Sequence, residues 1–266
     1  METSDNTVSE NAQSGRTTSE QLDIIYQDAF IIAIHKPAGL LVHKSPIDKH
    51  ETRFAMKILR DQIDQWVYPV HRLDKPTSGL LLFALHPDIA TQISQQFEQH
   101  QIQKEYQAIV RGYAPDEGCI NHALKEIAVF KHLQKKVEQK AAKEALTNFQ
   151  RLQTYELPYS DGRFDSSRYS LIKLQPKTGR KHQIRRHLKH ISHPIIGDVK
   201  YGKGEHNRLF NEHLSSHRLL LAATKMSLTH PATDEILTLE CPLEENFSDT
   251  LLALEKFATN LNNSPG

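Results

Sequence analysis

The longest uninterrupted apolar run in this chain, Gly79-Leu80-Leu81-Leu82-Phe83-Ala84-Leu85, has seven residues. A helix needs about 20 such residues to cross a bilayer, so no membrane span is expected. A run this short fits a single buried strand. Shorter runs bounded by turn residues read the same way: Leu22–Tyr26, Phe30–Ile34, Val67–Val70, Glu105–Val110, Ala145–Leu152, Tyr169–Leu174, Lys225–Leu228 and Ile236–Leu239. Apolar residues recur at helical spacing over Thr52–Ile63, Pro87–His100 and Arg180–Ile191, and at Phe247, Leu251, Leu254, Ala258 and Leu261 near the C-terminus. Residues 114–142 are rich in Lys, Glu and His and show no clear period. Short turns between most strands, with helices between some, predict an α+β fold with a mixed, largely antiparallel sheet and flanking helices.

At 266 residues the chain suits one large domain or two small ones. Residues 1–20 carry only Met1, Val8 and Ala12 as apolar side chains and a net charge of −3. Such a segment cannot bury enough surface to offset its ordering entropy, so a disordered tail is expected at 1–20 and one domain over 21–266. Cys119 and Cys241 stand too far apart for a CxxC site; both are expected to be small buried thiols. The N-terminus shows no apolar signal stretch, which makes a cytoplasmic protein the expectation. No apolar dimer face is evident, so a monomer is expected.

The net charge of +1 hides a strong local imbalance. Between Asp165 and Asp198 lie eight Lys or Arg, four His and no acid. Within that segment Ile184, Leu188 and Ile191 form one apolar stripe, while His182, Arg186, Lys189 and His190 point away from it. Arg185 sits on the shoulder of the stripe, a place suited to a partly buried guanidinium. A solvated charged face is the ordinary reading of such a helix. Here nothing compensates the repulsion, which favours a polyanion held along the helix. The histidines at 182, 187, 190 and 193 lack both a carboxylate neighbour and a regular ligand spacing, so no metal is expected.

The opposite pattern occurs at Asp74, the only acid between Asp64 and Asp88, flanked by His71, Arg72 and Lys75. A lone carboxylate among cations is expected to be ionised. It can serve as nucleophile or electrostatic stabiliser, or it can merely cap a turn and pair with Arg72. Glycoside hydrolysis and two-metal phosphoryl transfer need further carboxylates, which this loop lacks.

His71-Arg72-Leu73-Asp74, followed by Lys75-Pro76-Thr77-Ser78-Gly79-Leu80, resembles the catalytic motif of the RluA-type pseudouridine synthases. Three further segments resemble that family in the same order: Lys36-Pro37-Ala38-Gly39 with Val42-His43, Lys104-Glu105-Tyr106, and Thr178-Gly179-Arg180-Lys181-His182-Gln183-Ile184-Arg185 with His193-Pro194-Ile195-Ile196-Gly197-Asp198. The resemblance covers about residues 22–258 and implies a pseudouridine synthase fold around a central RNA-binding cleft, without the family's frequent S4-type domain. It implies isomerisation of an RNA uridine with no cofactor and no metal. It assigns catalysis to Asp74 as nucleophile, Arg185 as its partner and Tyr106 as a stacking residue. RNA contacts fall to Arg72, which would enter the stack vacated by the base, and to Lys75, Arg180, Lys181, His182 and Arg186. Residues 95–104 and 201–208 most resemble the branch acting at uridine 65 of tRNA, so tRNA rather than DNA is the expected partner. A ribosomal RNA synthase of the same family, or a non-catalytic RNA chaperone, are the alternatives.

Overall fold

A computed structural model describes residues 20–44, 50–128 and 140–259. The expectation of a disordered tail therefore falls almost wholly outside the described residues. Strands β1 (Asp23–Gln27), β2 (Ile31–Lys36), β3 (Tyr68–Pro69), β4 (Ser78–Ala84), β5 (Gln103–Arg111), β6 (Glu117–Asn121), β7 (Leu146–Leu157), β8 (Ser167–Pro176), β9 (Leu221–Thr229), β10 (Ile236–Glu240) and β11 (Ala258–Thr259) join in one sheet. Its main path runs β1-β2-β4-β9-β5-β8-β7-β11, with β3 on β4, β6 on β7 and β10 on β9. Helices α1 (Ala55–Ile63), α2 (Pro87–Glu98), α3 (Gln183–His190), α4 (Gly204–Leu214) and α5 (Glu245–Glu255) flank it. The expected α+β class and largely antiparallel sheet are both present.

Among the pairs of strands described only β4 and β9 run parallel, through Ser78↔Ala222 and Gly79↔Ala223. Here β4 passes so close to its neighbour that a side chain at Gly79 would lie 2.1 Å from the Ala223 carbonyl, and its φ of +104° strains any other residue. The apolar run over β4 is wholly buried, as its sequence predicts.

Strand alternation divides the core beyond β9. Ala108, Val110, Ile172, Leu174 and Leu221 face one side and pack beneath Ile184 and Leu188 of α3. Ile109, Leu220 and Ala222 face the other side, against Leu209 and Phe210 of α4 and Phe247 and Leu254 of α5. Tyr106, two residues before Ala108, therefore shares the face that carries α3.

Several expectations need correction. α3 begins at Gln183 rather than Arg180, because the Gln183 side chain accepts from the Arg180 N–H at 2.9 Å and the Thr178 hydroxyl at 2.7 Å, and His182 turns left-handed at φ +55°. The last helix stops at Glu255. Ala258 belongs to β11 against β7, and Leu261 lies outside the described residues. Cys119 is exposed on β6, whereas Cys241 is buried as expected.

Candidate active site

The loop between β3 and β4 carries Asp74. Buried Leu73 and Thr77 anchor it on either side, and Thr77 N–H donates to the Asp74 carbonyl at 3.0 Å. Buried Lys36 supports the loop from below. Its Nζ donates to the carbonyls of Pro37 and Leu40 at 2.8 Å each and of Lys75 at 3.2 Å, while Gly39 N–H bonds the same Lys75 carbonyl at 2.9 Å. Burial and nearby Arg218 pull the Lys36 ammonium down to about 7, yet three acceptors match its three N–H bonds.

Asp74 stands in a cleft of about 720 Å³. Arg72, Leu73 and Asp74 form one wall, and Thr178 to Arg185 form the other. Phe97, His100, Lys104 and Tyr106 line it as well. Arg185, only 5% exposed, reaches Asp74 Oδ2 with Nη1 at 3.3 Å, and His182 Nε2 lies 3.8 Å from Oδ1. His182 thus turns into the cleft instead of away with the outer basic face, a direct result of its left-handed backbone. Burial and Arg185 lower its pKa to about 4 against the pull of Asp74, leaving a neutral ring. Burial also raises the Tyr106 phenol, with Asp74 adding to it, so Tyr106 presents an uncharged ring and hydroxyl.

Asp198 has no role in the sequence reading, yet it is the main partner of Arg185. Its carboxylate accepts from Nε at 2.7 Å and from Nη2 at 2.9 Å, and from the backbone N–H groups of Lys200 at 2.9 Å and Tyr201 at 3.0 Å. Burial alone would raise its pKa; these donors outweigh burial and lower it. Tyr201, also unforeseen, lies under the Arg185 guanidinium at 5.2 Å and hydrogen-bonds His182 Nδ1 at 2.9 Å. The available signal was Asp198 itself, the first acid after the long acid-free segment. His71 is structural: its Nε2 accepts from Leu82 N–H at 3.0 Å, and burial lowers its pKa to about 3.

The expected RNA contacts divide into two groups. Arg72, Arg180, Lys181 and His182 line the cleft. Lys75 instead pairs with Glu51 at 2.5 Å, and Arg186 donates to the Lys125 carbonyl at 2.9 Å; neither lines the cleft. His187 is buried against Thr147 and the His122 carbonyl. Among the described residues no His, Cys or acid group has the arrangement of a metal site, and no helix is long and apolar enough to cross a membrane.

The family described as RNA pseudouridylate synthase matches residues 30–190. A protein of Haemophilus ducreyi named tRNA pseudouridine synthase C is 52% identical over 227 residues, covering 85% of this chain and 93% of that protein. Its namesake in Vibrio parahaemolyticus is 47% identical over 236 residues, covering 88% and 96%. Among solved structures, human RNA pseudouridylate synthase domain containing 4 superposes with a TM-score of 0.66 at 27% identity, covering 87% of this chain and 92% of that one. The corresponding domain containing 1 gives 0.65 at 25%, covering 85% of each.

Proposed function

This chain belongs to the RNA pseudouridylate synthase family, and we propose that its substrate is tRNA, with uridine 65 as the target and Asp74 as the nucleophile. It is an isomerase: the N1–C1′ bond of uridine breaks, C5 bonds to C1′, the C5 proton leaves and N1 gains one. Nothing is oxidised or hydrolysed.

The observation that carries the site assignment is the Asp74–Arg185 pair at 3.3 Å within the cleft. The guanidinium lies along one carboxylate oxygen and His182 beyond the other, so the carboxylate is oriented. Tyr106 offers an uncharged aromatic face for the extruded uracil. Arg72, exposed on the cleft wall, is placed to fill the gap in the stack. Arg180 and Lys181 hold the phosphates beside the target, and Lys75 and Arg186 act farther out on the strand. The names of the relatives support tRNA. The single sheet supports one catalytic domain over 21–266; in this reading it acts in the cytoplasm as a monomer and needs no cofactor.

The test is tritium release from unmodified tRNA transcript labelled at uracil C5, with Asp74→Ala alongside. Release by wild type alone, mapped to uridine 65, is expected. Release only from ribosomal RNA would move the substrate. RNA binding without release from either RNA would favour a chaperone.

A further inference from the structure

We propose that the turn Asp198–Gly202, together with Lys189 of α3, is a second docking surface for RNA, outside the cleft and joined to it. The proposal rests on the reading of RNA as substrate and extends it to the strand flanking the target uridine.

Exposure changes abruptly along this turn. Asp198 is 2% exposed and Val199 is 96% exposed, the highest value among the exposed large apolar side chains described. The turn is rigid. Asp198 Oδ1 accepts from the N–H groups of Lys200 and Tyr201, and its carbonyl accepts from Gly202 N–H at 2.9 Å. A side chain at Gly202 would lie 2.3 Å from that carbonyl, so this turn closes only with glycine. An apolar tip is thus presented to solvent at little further ordering cost.

The surroundings are cationic. Lys189 and Lys200, both exposed, stand 5.9 and 5.5 Å from the Tyr201 ring centroid. Lysine–carboxylate pairs among the described residues involve Lys75, Lys140, Lys143 and Lys225, and neither Lys189 nor Lys200. Their ammonium groups rest on an aromatic face and remain open to phosphate, while Val199 suits the apolar face of a ribose or base.

Two chains of contact join this surface to the cleft. Tyr201 bonds His182, which lies beside Asp74; Asp198 holds Arg185, which bonds Asp74. Charge and continuity both point to an RNA strand leaving the cleft across this turn.

Fluorescence anisotropy with labelled tRNA transcript tests the proposal, alongside single-turnover kinetics at saturating protein. Val199→Asp should weaken binding about tenfold. The double variant Lys189→Ala/Lys200→Ala should reduce the salt slope of log Kd by about 2. Turnover at saturation should stay within about twofold of wild type, and the melting temperature should not move, since these side chains are exposed. Lys256→Ala, exposed at the end of α5, controls for net charge and should bind as wild type. Wild-type binding by Val199→Asp and an unchanged salt slope in the double variant would overturn the docking surface. Binding that responds as described, in a wild type that releases no tritium, would keep the surface and overturn the enzymatic reading instead.

Discussion

Asp198 holds Arg185 more closely than Asp74 does: it takes two guanidinium nitrogens at 2.7 and 2.9 Å, whereas Asp74 takes one at 3.3 Å. The guanidinium is fixed in its plane by the two oxygens of Asp198. Asp74 therefore faces a cation that is already oriented by another carboxylate.

Asp74→Asn should lower the single-turnover rate by at least about a thousandfold, because an amide cannot attack as a carboxylate does. Binding of tRNA, measured by anisotropy, should remain within about twofold, since the cleft cations are untouched. Turnover near wild type would remove Asp74 from its role.

Asp198→Asn should lower the rate by about a hundredfold while leaving tRNA affinity nearly unchanged, because Arg185 loses its orientation rather than its charge. A lower melting temperature with an unaltered rate would show that the pair serves only the fold.

Lys36→Met should cost about 2–4 kcal/mol of stability, since the buried ammonium is removed, the Pro37 and Leu40 carbonyls lose their donor and the Lys75 carbonyl keeps only Gly39 N–H. The urea midpoint at pH 6 should fall with an unchanged slope. A wild-type midpoint would mean that the carbonyls find other partners.

Acid should weaken the fold through His71 and His182, whose folded pKa values of about 3 and about 4 lie below the ordinary 6.5. Between those values and 6.5 the unfolded chain binds more protons, so stability is full above about pH 6.5 and declines as pH falls toward 4. His71→Gln keeps an acceptor for Leu82 N–H without the titration and should flatten that decline in melting temperature. An unchanged slope would contradict the assignment.

The strands announced themselves where apolar residues clustered: the run at Gly79–Leu85 became β4 almost residue for residue. β6 escaped because Glu117–Asn121 buries only Ile120, too little for a period to show. α4 escaped because its inward face includes His206, a polar residue bonded to the Tyr169 hydroxyl at 2.9 Å. At the site, Asp74, Arg185 and Tyr106 could be read because each stands within a recognisable motif. Asp198, although part of the same motif, showed no role, since its bond to Arg185 spans thirteen residues and depends on where the turn after α3 comes to rest. The offset at His182 was equally hidden: a left-handed residue at a helix start leaves no mark in apolar spacing.

The position of β9 governs when the site can exist. β4, which follows the Asp74 loop, and β5, which bears Tyr106, are neighbours only through β9, a strand made more than a hundred residues after β5 begins. On the ribosome, a nascent chain that has passed β5 but has not reached β9 has two open sheet margins where the finished protein has a continuous sheet. Once it extends beyond Arg185 it contains Asp74, Tyr106 and Arg185, yet lacks the strand that joins β4 to β5. The cleft is therefore assembled only after β9 has been made.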